Sequence, residues 1–190
     1  LSRLWITGYR NYELGVFNDS DPKVTIIMLA LKNAIEQSIL DGVDWIISGG
    51  QLGTEQWALK AASKLKEQYP DEFQTAMMLP FAEFGNQWSE TNQLAFNQAK
   101  TTVDFAANVS DKPYRSPEQL RNYQEFMLTH TDQAILLYDL ESPGKPKYDY
   151  ERIVKFADSH EYPFRLITFD DLQETAEEYQ ENLNNSLQDS

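Results

Sequence analysis

Trp45-Ile46-Ile47-Ser48-Gly49-Gly50-Gln51-Leu52-Gly53-Thr54-Glu55-Gln56-Trp57-Ala58 decides the fold. A short apolar run meets three glycines and then passes into a helical pattern carried by Trp57, Ala58, Ala61, Ala62 and Leu65. The pattern predicts a strand, a tight turn and a helix N-terminus. Exposed N–H groups at a helix start favour an anion, and glycine lets a phosphate come close to the backbone.

Working outward, strand-like runs recur at 3–7, 44–47, 73–79, 103–109, 134–138 and 164–168. Helical patterns fall between and after them, at 22–40, 54–69, 86–100, 117–131, 148–159 and 170–183. Pro22 and Pro117 stand where a first-turn proline is tolerated, after Asp21 and Ser116 as caps. Ala134-Ile135-Leu136-Leu137-Tyr138 is continuously apolar, as a strand buried on both faces requires. This alternation predicts an α/β chain: a Rossmann-like, mostly parallel sheet of about six strands flanked by helices in right-handed crossovers. No repeat or linker interrupts it, so one domain is expected over residues 1–172, with an acidic helix or tail over 173–190.

The net charge is −14, and from Asp170 to Ser190 there are seven acidic residues and no basic one. The remaining body is acidic too. Such a surface repels polyanions, so neither nucleic acid nor an anionic membrane is expected as a partner. The chain has no cysteine, which removes disulfides, thiolate nucleophiles and cysteine-type zinc sites and fits a reducing compartment. The N-terminal apolar run is only Leu4-Trp5-Ile6, and Ile26–Leu31 is far below spanning length. A cytoplasmic protein is the expectation.

In open parallel sheets ligands sit beyond the carboxyl ends of the strands. Gly8 and Arg10 follow the first strand, and Arg10 offers a bidentate fork to phosphate. Ser48, Gly49, Gly50, Gly53 and Thr54 follow the second as a phosphate cradle with two hydroxyl donors. The competing reading of those glycines is a close helix–strand turn without ligand. They match neither the dinucleotide fingerprint nor the P-loop. Gly53 reads as a surface turn, where a substitution would block the anion and spare the fold. Glu55, in the first helical turn, either complements the helix dipole or meets ribose hydroxyls. Glu55 and Asp139 are the candidates for acid–base catalysis. Lys145 and Lys147 form a rare basic spot, either ligand-facing or merely solvated. Tyr9, Tyr12 and Trp88 offer stacking surfaces or simple packing. His130 and His160 stand singly, so no metal site is expected.

Thr7-Gly8-Tyr9-Arg10 with Glu13-Leu14-Gly15, and Ser48–Gly53 with Glu55 and Trp57, resemble the YpsA family of Firmicutes. So do Pro113-Tyr114 with Ser116-Pro117, and Leu137-Tyr138-Asp139 running into Pro143-Gly144 and Lys147-Tyr148. That family falls in the SLOG superfamily, beside the DNA-processing protein DprA and the Lonely Guy phosphoribohydrolases. The resemblance implies a Rossmann-like fold, a nucleotide or nucleotide-sugar ligand such as ADP-ribose, NAD or a nucleoside monophosphate, and a link to cell division. Lonely Guy enzymes also carry a catalytic motif P-G-G-x-G-T-x-x-E after a later strand. The corresponding segment here, Tyr138–Lys145, lacks the Gly-Thr pair and the spaced glutamate. Three readings follow: a nucleotide sensor or regulator, a hydrolase of N-glycosidic or phosphoester bonds, and an interaction protein with a vestigial pocket. A protein partner or a homo-oligomer stays open among the expected partners.

Overall fold

The computed structural model describes residues 1–190. Six strands form one wholly parallel sheet: β1 (Arg3–Gly8), β2 (Trp45–Ser48), β3 (Gln74–Leu79), β4 (Phe105–Asn108), β5 (Gln133–Leu137) and β6 (Phe164–Ile167). Their order is β4-β3-β2-β1-β5-β6. The chain steps outward from β1 to β4, then returns across the sheet to pair β5 with the free edge of β1. That reversal places a topological switch point between β1 and β5, where a crevice opens beyond the strand ends.

Six helices cover the sheet: α1 (Pro22–Leu40), α2 (Thr54–Leu65), α3 (Glu90–Thr102), α4 (Pro117–Thr129), α5 (Lys147–Ala157) and α6 (Phe169–Gln188). Right-handed crossovers send α1, α2 and α3 to one face and α4 and α5 to the other. On the first face α1 packs against both α2 and α6, and α2 against α3. The main core comprises 33 buried residues, with β1 and β5 almost wholly inside it. The molecule is a Rossmann-like α/β sandwich.

Helix starts follow their caps. Asp21 accepts the Lys23 N–H ahead of Pro22, and Ser116 and Gln119 form a reciprocal capping box at α4. Several limits differ from the sequence reading. α3 begins at Glu90, not Asn86, because Ser89 caps it by accepting the Asn92 N–H at 3.3 Å. β4 is short because α3 runs to Thr102 and Asp104 is held by the Thr75 N–H at 2.8 Å. α6 extends from Phe169 to Gln188, beyond the 170–183 pattern at both ends.

Candidate functional site

The loops after β1, β2 and β5 are tied to one another before any ligand is considered. Arg10 and Gly53 form an antiparallel bridge; Asn11 N donates to Leu52 O at 3.2 Å and Thr54 N to Tyr9 O at 3.1 Å. After Arg10 the chain makes a single 3-10 turn, Asn11–Leu14, absent from the sequence reading. Its Glu13 carboxylate accepts the Arg10 N–H and the Lys145 N–H, each at 2.7 Å, so one anion clamps the first and fifth loops together. Tyr9 adds a second tie: its hydroxyl donates to Ser142 O at 2.7 Å and accepts the Asp139 N–H at 2.9 Å.

These loops border a cleft of about 820 Å³ at the C-terminal edge of the sheet. Glu55 from α2 and Asp149 from α5 form its acidic side, while Arg10, Arg121 and Lys145 supply cations. Trp88 and Phe84 from the β3–α3 loop, with Tyr12 and Tyr148, supply aromatic walls. The β3–α3 loop is anchored by a small separate core in which Phe84 packs on Phe96, Leu59, Met77 and Leu79.

Glu55 is the centre of the site. It is only 6% exposed; its Oε1 accepts the Gln51 N–H at 3.1 Å and its Oε2 the Thr7 hydroxyl at 3.1 Å. The same Thr7 hydroxyl lies 3.4 Å from Asp149 Oδ2, and Asp149 Oδ1 accepts from Gln124 Nε2 at 2.7 Å. A hydroxyl has one proton to give, so it cannot donate to both carboxylates at once. Burial raises the Glu55 carboxyl above its usual range, against the pull of the Arg10 cation and the Gln51 N–H. Burial also raises Asp149, against Gln124 and Arg10. Tyr123, whose hydroxyl donates to Met78 O at 3.0 Å, is pushed well above the ordinary phenol by burial and then by the Glu55 charge. Both acids therefore take up a proton more readily than a free carboxylate does.

The sequence-derived residues separate into two groups. Arg10, Glu55 and Lys145 border the cleft, and Gly49 lies behind Glu55: a Cβ there would meet Glu55 Oε1 and, at 2.8 Å, the Tyr123 hydroxyl. The others pack the loops. Ser48 is fully buried and donates to Ile6 O at 2.6 Å; Thr54, equally buried, donates to Tyr9 O at 2.9 Å. Gly8 has Leu137 O at 2.6 Å from the place of a Cβ, and Gly50 has Phe96 at 2.6 Å. Gly53 is not a surface turn. It is buried, has φ of 106°, and faces Arg10 C and Tyr9 O at 2.8 Å. The glycine turn holds an anion of the protein's own, since the Gln51 N–H is taken by Glu55. Asp139 stands apart: its carboxylate accepts from Glu141 N and Phe169 N and ties the α6 start to the fifth loop.

Arg121, Tyr123, Gln124 and Asp149 carry no signal in the sequence, and Thr7 shows there only as the first residue of the Thr7-Gly8-Tyr9-Arg10 segment. Asp149 falls in the first turn of a helix, where an acid is ordinary. Thr7 and Asp149 stand 142 positions apart, so no local spacing marks them. No three His, Cys, Asp or Glu side chains gather as a metal-binding group, and no helix is long and apolar enough to cross a membrane.

A parallel sheet with linked loops and a mixed acidic, basic and aromatic cleft at its switch point defines a Rossmann-like protein with a preformed crevice. Residues 4–172 match the profile of the YpsA family, described as the YspA SLOG family, and the chain belongs to it. It is similar to a protein from Levilactobacillus brevis named "UPF0398 protein", 57% identical over 99% of each chain. Proteins of the same name from Lactobacillus gasseri and Lactiplantibacillus plantarum are each 55% identical, over 96% and 98% of each chain respectively.

Proposed function

We propose that the cleft binds a phosphorylated ribonucleoside, of the ADP-ribose, NAD or nucleoside monophosphate class, and that the protein works as a cytoplasmic nucleotide sensor or regulator. The observation that carries this is the division of one cleft into chemically distinct parts. Arg10, Arg121 and Lys145 suit phosphate oxygens, the Trp88 and Tyr12 surfaces suit a base, and the acceptors of Glu55 and Asp149 suit ribose hydroxyls. The glycine turn supports the ligand indirectly, by fixing Glu55. Family membership supports the same ligand class, and the lack of cysteine fits the location.

Thermal denaturation with a nucleotide panel tests the proposal. A ligand at about 100 times its Kd adds roughly 2.7 kcal/mol to stability. For a chain of this size that is a shift of about 5–10 °C. Arg10→Ala should abolish the shift. A panel without effect at millimolar concentration overturns the reading.

A second reading, cleavage of an N-glycosidic bond, is favoured by the Glu55–Thr7–Asp149 arrangement. A carboxyl kept protonated by burial can protonate a departing base while its ionised neighbour activates water. Turnover lost in Glu55→Gln with binding retained would establish it, and binding without any turnover leaves the sensor.

A further inference from the structure

Trp57 stands just after the glycine turn, yet it takes no part in the ligand cleft. It follows Gln56 in the first turn of α2, and both residues are buried, at 5% and 9% exposure respectively. Gln56 Nε2 donates to Gly50 O at 2.9 Å, while its Oε1 has no partner within the protein. The Trp57 indole N–H has none either. Neither atom is sealed off, since every fully buried side-chain nitrogen and oxygen is hydrogen-bonded. A buried tryptophan ordinarily pairs its N–H, and a buried polar group left unpaired costs stability.

Both residues line a cavity of about 350 Å³ bounded by the β1–α1 segment, the glycine turn, α2 and α3. It lies back to back with the cleft across the Arg10–Gly53 bridge. Arg10, Gln51 and Glu55 border the cleft, whereas Asn11, Leu52 and Gln56 border the cavity. Its charged lining is one acid and one base, Asp19 and Lys60, neither in an ion pair, so the wall carries no net charge. Every other polar side chain there is an amide, a hydroxyl or the indole. Phe17, 77% exposed, adds an aromatic ring.

We propose that this cavity is a second small-molecule site, for a neutral planar ligand with a carboxamide or lactam edge. Trp57 can only donate, and the free Gln56 oxygen can only accept. One amide edge satisfies both: its carbonyl takes the indole N–H, and its own N–H goes to Gln56 Oε1. Amides on Asn11, Asn92 and Gln98 can donate or accept to match the rest of the ligand. A phosphate dianion has no proton for Gln56 and would meet a single lysine set against an acid, so cavity and cleft select different chemistry. The volume stands at the low end of ligand pockets, about 300–1,000 Å³, and suits a single ring system. Nothing in this site depends on a nucleotide in the cleft.

Proton–nitrogen NMR of the full chain tests the proposal through its four tryptophan indole signals. Loss of a signal in Trp57→Phe identifies the cavity reporter, and loss in Trp88→Phe identifies the reporter of the cleft. Uracil and benzamide at millimolar concentration should each shift the Trp57 signal saturably. Benzoate, the same ring with a carboxylate and no N–H to give, should bind at least about tenfold more weakly than benzamide. Phe17→Ala changes an exposed residue and leaves the fold intact; it should weaken benzamide binding roughly fivefold through the lost ring contact. Trp57→Phe, native by circular dichroism, should weaken it more than about tenfold, followed on the Gln98 side-chain amide signal. A Trp57 signal unmoved by both probes overturns the proposal, as does a shift confined to Trp88. So does benzoate bound as tightly as benzamide, or an affinity unchanged by Phe17→Ala.

Discussion

At the scale of single residues, Glu55 sets the pH behaviour of the site. Burial first, and then the Asp149 charge, raise its carboxyl, so the folded chain binds that proton more tightly than the unfolded chain does. The stability conferred by the proton is full below the ordinary carboxylate range and is lost as pH rises through the raised folded value. Glu55→Gln is therefore expected to flatten the decline in melting temperature from mildly acidic to neutral pH. At neutral pH it should match or exceed the wild type by a few degrees, roughly the effect of 1 kcal/mol. A thermal denaturation series across pH checks both statements. Gly53 makes the opposite kind of prediction. Its φ of 106° and the backbone of Tyr9 and Arg10 at 2.8 Å leave no place for a side chain. Gly53→Ala should cost about 3 kcal/mol or more in urea denaturation, through strain and steric conflict. The sequence reveals that a special backbone is needed there, but not whether a ligand or the chain itself fills the space. That depends on Arg10 and Asn11 folding back over the turn, a contact between segments more than forty positions apart.

At the scale of elements, the 3-10 turn and the loops around it hold the cleft in shape. Glu13 joins the Arg10 and Lys145 backbones through two bonds of 2.7 Å. Hydrogen bonds to a charged group are worth about 1.5–3 kcal/mol each when well formed, less where water competes. Glu13→Ala should then cost about 2 kcal/mol of stability in chemical denaturation. It should also weaken any nucleotide-induced thermal shift, since the fifth loop is released. Strands and helices of the body were readable because their apolar periods are long and their caps local, as with Asp21 before α1. The 3-10 turn was not, since four residues are too few to show a period. The site was half readable for the same reason: Arg10 and Glu55 sit in marked turns, whereas Thr7 and Asp149 gain their meaning only across the switch point.

At the scale of the molecule, a net charge of −14 means that the folded body repels itself. Salt shortens the reach of that repulsion to about 8 Å at physiological ionic strength. Melting temperature should therefore rise between about 10 mM and 150 mM sodium chloride, by a degree or more, unlike that of a protein held by surface ion pairs. A fall over that range would show that the four ion pairs of the surface outweigh the general repulsion.

The pairing of β1 with β5 has a consequence for how the molecule is made. Leu4 lies opposite Gln133 and Gly8 opposite Leu137, so the central strand waits for a partner more than a hundred positions later. During synthesis β1 to β4 can align in order, yet one edge of β1 stays open, an apolar template for mispairing until residues 133–137 emerge. The crevice is incomplete for at least that interval, because Thr7 has no Asp149 to face. The crevice thus comes into being late, as part of the same event that closes the sheet.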